Sequence, residues 1–240
     1  ACYNASALNV MDYSSRRTRD GRVKPDILAP GTAITSTVIK DSYNSYDGTS
    51  MATPHVSAVA AQLLKQYNLT PYAVKAFLLS GTMNGSRTNN YPNNIDYNQG
   101  WGRLDAYRTV FKLSDEYTDS YDTFHIGEPG SGFSSDVYYD INVPAAADRL
   151  IVTLVWDDLP GDKSGNNTKT LYNDIDLYFR YPNGSIDTST KEDDTINNVE
   201  KYIFNDPVNG IWEAHVSVID LNGTAGTQNY SIKFQIEREA

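Results

Sequence analysis

The sequence predicts an α/β half followed by an all-β half, and three observations carry that division. Apolar residues recur at helical spacing over Val56–Tyr67 and again over Val74–Leu78, after a stretch of short strands and turns. From about Asp136 the period falls to two, as half-buried antiparallel strands require. The charge balance shifts between the same halves: residues 1–113 hold 12 Lys and Arg against 7 Asp and Glu, and residues 114–240 hold 8 against 23. The expected organisation is a mixed domain over 1–113, a crossing segment over 114–135 and a β-sandwich of jelly-roll type over 136–240.

Element by element, the first half opens on short strands. Asp26–Ala29 is an apolar strand stopped by the turn pair Pro30-Gly31, Ala33–Ile39 alternates loosely, and Asp47-Gly48 marks a further turn. Val56, Val59, Ala60, Leu63, Leu64 and Tyr67 then share one helical face, on a helix that starts near Ser50 or Met51 so that Pro54 lies close to its beginning. Thr70 caps a second helix, Pro71 occupies its first position and Gly81 ends it. A third short helix is expected at about Leu104–Phe111. In the second half, Val137–Ile141, Leu150–Trp156 and Ile175–Tyr181 read as strands, the last closed by Pro182-Asn183-Gly184. Trp212–Val218 and Tyr230–Ile236 alternate apolar with polar residues, so each should turn one face to the core and one to water. Residues 136–240 are expected to fold independently, with 1–113 the less stable half.

Composition removes several function classes. With 40% hydrophobic and 12% aromatic residues in 240, the chain has the material for a packed core. No apolar run approaches the roughly 18–20 residues of a membrane-spanning helix. The acidic second half repels nucleic acid and anionic membrane, so neither is an expected partner. Cys2 is the single cysteine, which excludes an internal disulfide and a cysteine zinc site. The chain opens Ala1-Cys2-Tyr3-Asn4 without initiator Met or apolar leader, as a processed chain or an internal fragment would. Sequons begin at Asn4, Asn68, Asn84, Asn166, Asn183, Asn222 and Asn229, and this mild excess points to an extracellular location.

The segment that carries chemistry is Gly48-Thr49-Ser50-Met51-Ala52-Thr53-Pro54-His55-Val56. Small residues flank Ser50 and leave room for a substrate backbone, and the helix that follows aims the positive end of its dipole at the hydroxyl. A serine on such a turn attacks a carbonyl while neighbouring N–H groups hold the oxyanion; Gly48 and Thr49 make the turn. As a bare pattern it also suits a helix-capping serine.

The string resembles the active-site serine motif of the subtilisin-like serine proteases, the subtilases. Asp20–Gly31 before it resembles the stretch upstream of that serine, as does Tyr13–Arg16, although Arg17-Thr18 stands where relatives often carry Gly-Pro. Leu69–Leu79 and Gly100–Ala106 resemble the closing helices of the catalytic domain. Val155–Gly161, Asn173–Leu177, Tyr181–Gly184 and Asn197–Glu200 are similar to a β-barrel domain appended to some extracellular subtilases. The resemblance implies the C-terminal portion of a parallel-sheet catalytic domain, an endopeptidase with Ser50 as nucleophile, polypeptide substrates, and no cofactor for catalysis.

In that family the chain order is Asp, His, Ser, with an oxyanion Asn between His and Ser. No histidine precedes Ser50 here. His55 lies about 140° round the helix from Ser50 and is structural in the family; His125 falls in the crossing segment and His215 on the polar face of a strand. The expectation is a fragment whose base, orienting acid and second oxyanion donor lie in a missing N-terminal part, so that this chain alone is inactive. The alternatives are a secreted β-sandwich binding module beside a degenerate protease remnant, or a hydrolase of chain order Ser, Asp, His. Asp157, Asp158, Asp174 and Asp176 form a separate acidic constellation: Asp174 and Asp176 share one face of a strand, and the set is either a structural calcium site, as the resemblance implies, or a solvated acidic surface.

Overall fold

The computed structural model describes residues 1–83, 97–111, 123–127, 137–159, 171–187, 194–221 and 228–238. Its first half is built around a short parallel ladder, with Cys2–Tyr3 (β1) beside Ala29–Pro30 (β2) and Cys2 opposite Ala29. Proline cannot donate to a ladder, so Pro30 ends the strand. An antiparallel hairpin follows, Ile34–Val38 (β3) with Ser42–Tyr46 (β4), and every residue of β4 is exposed. Helix α1 runs Thr49–Gln66. It starts one or two residues ahead of the expected Ser50 or Met51, which leaves Pro54 in its second turn. Cys2, Ala29 and Ala52 form a cluster of small buried residues, and their size lets α1 lie directly on the parallel ladder.

Helix α2, Pro71–Ser80, is punctuated as its sequence predicts: the Thr70 side chain accepts from the Ala73 N–H at 3.3 Å, Pro71 opens it and Gly81 caps it. Gly81 is required by space, since a Cβ there would fall 2.2 Å from Thr109 Oγ1. One face of α2 gives Phe77 and Leu78 to a core shared with Val59, Leu63 and Val110. The third helix is shorter than expected, a π-helical turn over Tyr107–Phe111. The Asp105 carboxylate accepts the Arg108 N–H and the Asp105 carbonyl accepts the Thr109 N–H.

Two antiparallel sheets make up the second half. One has the order β5-β11-β7-β9, from Thr123–Gly127, Tyr230–Glu237, Arg149–Trp156 and Val199–Asn205; the other is β6-β10-β8, from Val137–Val143, Gly210–Leu221 and Asn173–Arg180. Their inner faces share one apolar cluster that includes Trp156, Phe179, Tyr202, Trp212 and Phe234. The indole N–H groups are satisfied by backbone carbonyls, Trp156 on Asn173 at 3.0 Å and Trp212 on Val208 at 2.8 Å.

Three features depart from the sequence reading. The segment 114–135, expected as a crossing, contains β5, which pairs with β11 from Tyr230↔Gly127 to Phe234↔Thr123. Strand β9 escapes an alternation test because Val199, Glu200, Lys201 and Tyr202 are all buried. Most consequential, β11 has no water-facing side: Ser231, Lys233, Gln235 and Glu237 are as buried as the apolar residues between them. Helix α2 covers that face. Ala76 and Leu79 of α2, with Val23 and Trp101, join the cluster of the sheet pair, so the two halves share a core where independent folding of 136–240 was expected.

Candidate active site

The geometry around Ser50 is set by backbone contacts from three directions. Gly48 is the N-cap of α1, at φ 153°, a conformation that favours glycine. Its N–H donates to the Gly31 carbonyl at 2.7 Å, and its own carbonyl accepts the N–H groups of Met51 at 3.1 Å and Ala52 at 3.3 Å. Next to it, the Asp47 carboxylate accepts the Ala33 N–H at 2.6 Å. Two turns distant in sequence, Pro30-Gly31 and Asp47-Gly48, are thereby tied into one.

Ser50 itself is exposed in the first turn of an 18-residue helix. The N–H groups of Thr49 and Ser50 make no hydrogen bond among the described residues. They are the orphan donors every helix start leaves, and here they lie beside a hydroxyl. A groove of about 550 Å³ opens next to it, between the hairpin and α1, lined by Ile34, Val38, Tyr46, Met51 and Pro54 among others. The arrangement places an exposed hydroxyl beside positive potential and an open groove.

Neither histidine whose side chain is described stands ready as a base for Ser50. The His55 Nδ1 lies 2.9 Å from the Met51 carbonyl one turn earlier, a contact that fixes the ring to its own helix. His215 stacks on Tyr178 at 4.6 Å and pairs through Nε2 with the Glu213 carboxylate at 2.8 Å, on the three-stranded sheet. His125 lies on β5, opposite Ile232.

The acidic constellation separates. Asp174 and Asp176 share one face of β8 as their spacing predicts, and both are buried. Asp158 is occupied elsewhere, its two carboxylate oxygens accepting the N–H groups of Tyr172 at 2.6 Å and Asn173 at 2.9 Å. Asp157 is exposed. Among the described residues no three His, Cys, Asp or Glu side chains form a metal-holding group. An acid that approaches β8 is Glu200, which closes the Asn197–Glu200 stretch but stands outside the acidic constellation named from the sequence. It is fully buried and accepts the Leu177 N–H at 2.7 Å. Burial first, then Asp176 and more distant Asp194 and Asp174, push its carboxyl well above the usual range despite that bond.

Gly31 and Asp47 are the positioning residues that sequence reasoning passed over. Both turns were legible, but nothing in the spacing said that one holds the other. Residues 1–102, under half of the chain, match the model of the Subtilase family. A serine protease/ABC transporter B family protein, tagD of Dictyostelium discoideum, is 28% identical over 95% of this chain and 17% of its own length. Bacillopeptidase F of Bacillus subtilis is 39% identical over 39% of this chain and 7% of its own. The maturation protease PagA, a solved structure, is 29% identical over 37% of this chain and 33% of its own, with a TM-score of 0.27. The chain thus spans less than a fifth of these two curated relatives.

Proposed function

We propose that this chain carries the nucleophile of a serine endopeptidase that cleaves polypeptides through an acyl-enzyme. The observation that supports it most is the placing of Ser50: exposed, at the mouth of α1, with two unpaired N–H groups and an open groove beside it. Ser50 Oγ attacks the scissile carbonyl, and the Ser50 N–H is one donor to the resulting oxyanion. The proton leaves Oγ for a histidine outside these 240 residues, oriented by an acid that also lies outside them, and a second oxyanion donor comes from the same missing part. No cofactor enters this chemistry.

Two features support a polypeptide partner over the first half. The parallel ladder has two strands among the described residues, and Ile39, Tyr43, Tyr46 and Leu64 are exposed on the hairpin and on α1. The sheet pair is read as the jelly-roll domain appended to extracellular subtilases, which supports a secreted protein. The match to tagD, a serine protease by name, runs through both halves and favours this reading over a free-standing binding module.

The chain alone should be close to inert, because loss of the base costs about 10⁶-fold in turnover in subtilisin, from which that figure is taken. The test is reconstitution: peptide hydrolysis by the purified chain, then after addition of an upstream polypeptide bearing the His and Asp motifs. Activity is expected only in the mixture and only with Ser50 intact. Hydrolysis that survives Ser50→Ala, in either arm, overturns the reading.

A further inference from the structure

The buried polar face of β11 and its neighbours holds a group that the chemistry of Ser50 does not use. Lys201, on β9, extends its ammonium to the C-terminal end of α2. There it donates to the Leu79 carbonyl at 2.7 Å and to Thr82 Oγ1 at 2.8 Å. Thr82 Oγ1 can accept because its own proton goes to the Trp101 carbonyl at 2.6 Å or to Leu79. Ser80 and Thr153 hydrogen-bond across the same interface at 2.9 Å.

The charges around Lys201 are arranged against it. Arg108 reaches in from the π-helical turn and Arg149 from β7, and both guanidinium groups pair with Glu237 on β11. That carboxylate also accepts from Gln235. Lys233 on β11 lies over the Phe77 ring of α2 at 4.7 Å. From α2, Lys201 meets a carbonyl and, just beyond the helix, a hydroxyl. Among the described residues no carboxylate forms an ion pair with it.

We propose that Lys201 is a proton-controlled latch between the four-stranded sheet and the end of α2, one that the neutral amine closes more firmly than the ammonium does. The surroundings favour this: Lys201 is buried, Arg108 and Arg149 reach in beside it, and among the described residues no carboxylate pairs with it, so the ammonium meets desolvation and two like charges that the amine does not. Burial first, then Arg108 and Arg149, bring the Lys201 pKa down from 10.5 to about 7. The sign follows from proton counting. Between those two values the folded state holds fewer protons than the unfolded state, so stability rises with pH across the window and is flat below it. Each pH unit inside it is worth up to about tenfold in the folding constant. Because α2 packs on α1, a fall in pH through that window loosens the sheet pair from the layer that carries Ser50. The latch stands whatever chemistry Ser50 performs.

The test uses the whole chain with ¹³C-labelled lysine. One Cε resonance should titrate near pH 7 in the wild type and vanish in Lys201→Met. Thermal unfolding from about pH 6 to pH 10 should show the wild type gaining on Lys201→Met as pH rises, as linkage requires. Parallel profiles for the two proteins overturn the latch, as does a wild type in which every lysine titrates above about 9.5. Should Lys201→Met not fold, survival of the low-pH resonance in Lys75→Gln and in Lys233→Met excludes the other two most buried lysines among the described residues and leaves it with Lys201. Its loss in either variant assigns it elsewhere and overturns the proposal.

Discussion

Gly31→Ala puts the smallest possible side chain at the point where the Ser50 turn is tied down. The Gly31 backbone is not left-handed, so the objection is to space alone. A Cβ built there falls 2.4 Å from the Cys2 Cβ and 2.7 Å from the Gly48 carbonyl oxygen. Carbon atoms in contact prefer about 3.5–4.0 Å, so β1 must retreat by more than about 1 Å or the Gly48 turn must open. Neither obstacle is the end of a flexible side chain. Cys2 is fully buried against Ala29 and Ala52, and the Gly48 carbonyl holds the first two bonded N–H groups of α1. Overpacking of a close-packed site costs about 1–3 kcal/mol, and two blocked directions put this one near about 3 kcal/mol. For a chain of this size that is a fall of about 6–12 °C in Tm. Circular dichroism melts of four proteins measure it: the parent, Gly31→Ala, Cys2→Gly and the double variant. Removal of the Cys2 Cβ relieves one clash and leaves the other, so the cycle should return a favourable coupling of about 1 kcal/mol. A Gly31→Ala protein that melts within about 1 °C of the parent, or a cycle without coupling, refutes the reasoning.

Three further outcomes are expected. Leu79→Ala, at a fully packed site between α2 and the sheets, should cost about 2–5 kcal/mol and lower the transition seen by Trp156 and Trp212 fluorescence together with that of the helices. Thr70→Ala removes the one side-chain cap of α2 and should cost about 1 kcal/mol, read as a fall of about 2–4 °C in Tm. Asp26 accepts from Lys24 at 2.6 Å and Lys75 at 3.0 Å; burial raises its pKa, but the two ammonium groups outweigh that and the net shift is downward. Lys75 is also shifted down, by burial, so the pair gives less than the Asp26 shift alone implies. Asp26→Asn should therefore cost about 1–3 kcal/mol at neutral pH, between the ranges for exposed and buried pairs. The sign for a depressed carboxyl is that its contribution is present above the unfolded value of about 4 and fades as pH falls through the folded one. Urea midpoints of parent and variant should therefore converge in acid.

The local features of this molecule were legible and the pairings were not. Thr70, Pro71 and Gly81 announce α2 because capping and φ restriction act within a few residues. The Ser50 turn was readable for the same reason. Strands β7, β8 and β10 follow from runs of β-branched and aromatic residues. What failed was the inference from alternation to solvent. Ser231, Lys233, Gln235 and Glu237 look like a wet face, yet they lie under α2, where Lys233 meets an aromatic ring and Glu237 meets two guanidinium groups. Period two reports that the faces of a strand differ, and not that one of them is exposed. At the site, the Gly31–Gly48 bond joins positions 17 residues apart. No spacing rule covers such a contact.

The position of Ser50 is thus held at both ends of one rigid element. At the N-terminal end, the Gly31 carbonyl and the Asp47 carboxylate fix the turn by accepting backbone N–H groups, and the packing leaves no room for a side chain at Gly31. At the far end, Val59 and Leu63 of α1 pack on Phe77 and Leu78 of α2, and α2 in turn lies on the four-stranded sheet through Leu79, Ser80 and the Lys201 contact. A helix transmits a displacement along its axis with little loss, because each turn is bonded to the next. The sheet pair is therefore mechanically part of the layer that carries Ser50. A change at its interface, such as protonation of Lys201, bears on α1 through two helix contacts, and a change at Gly31 bears on it directly.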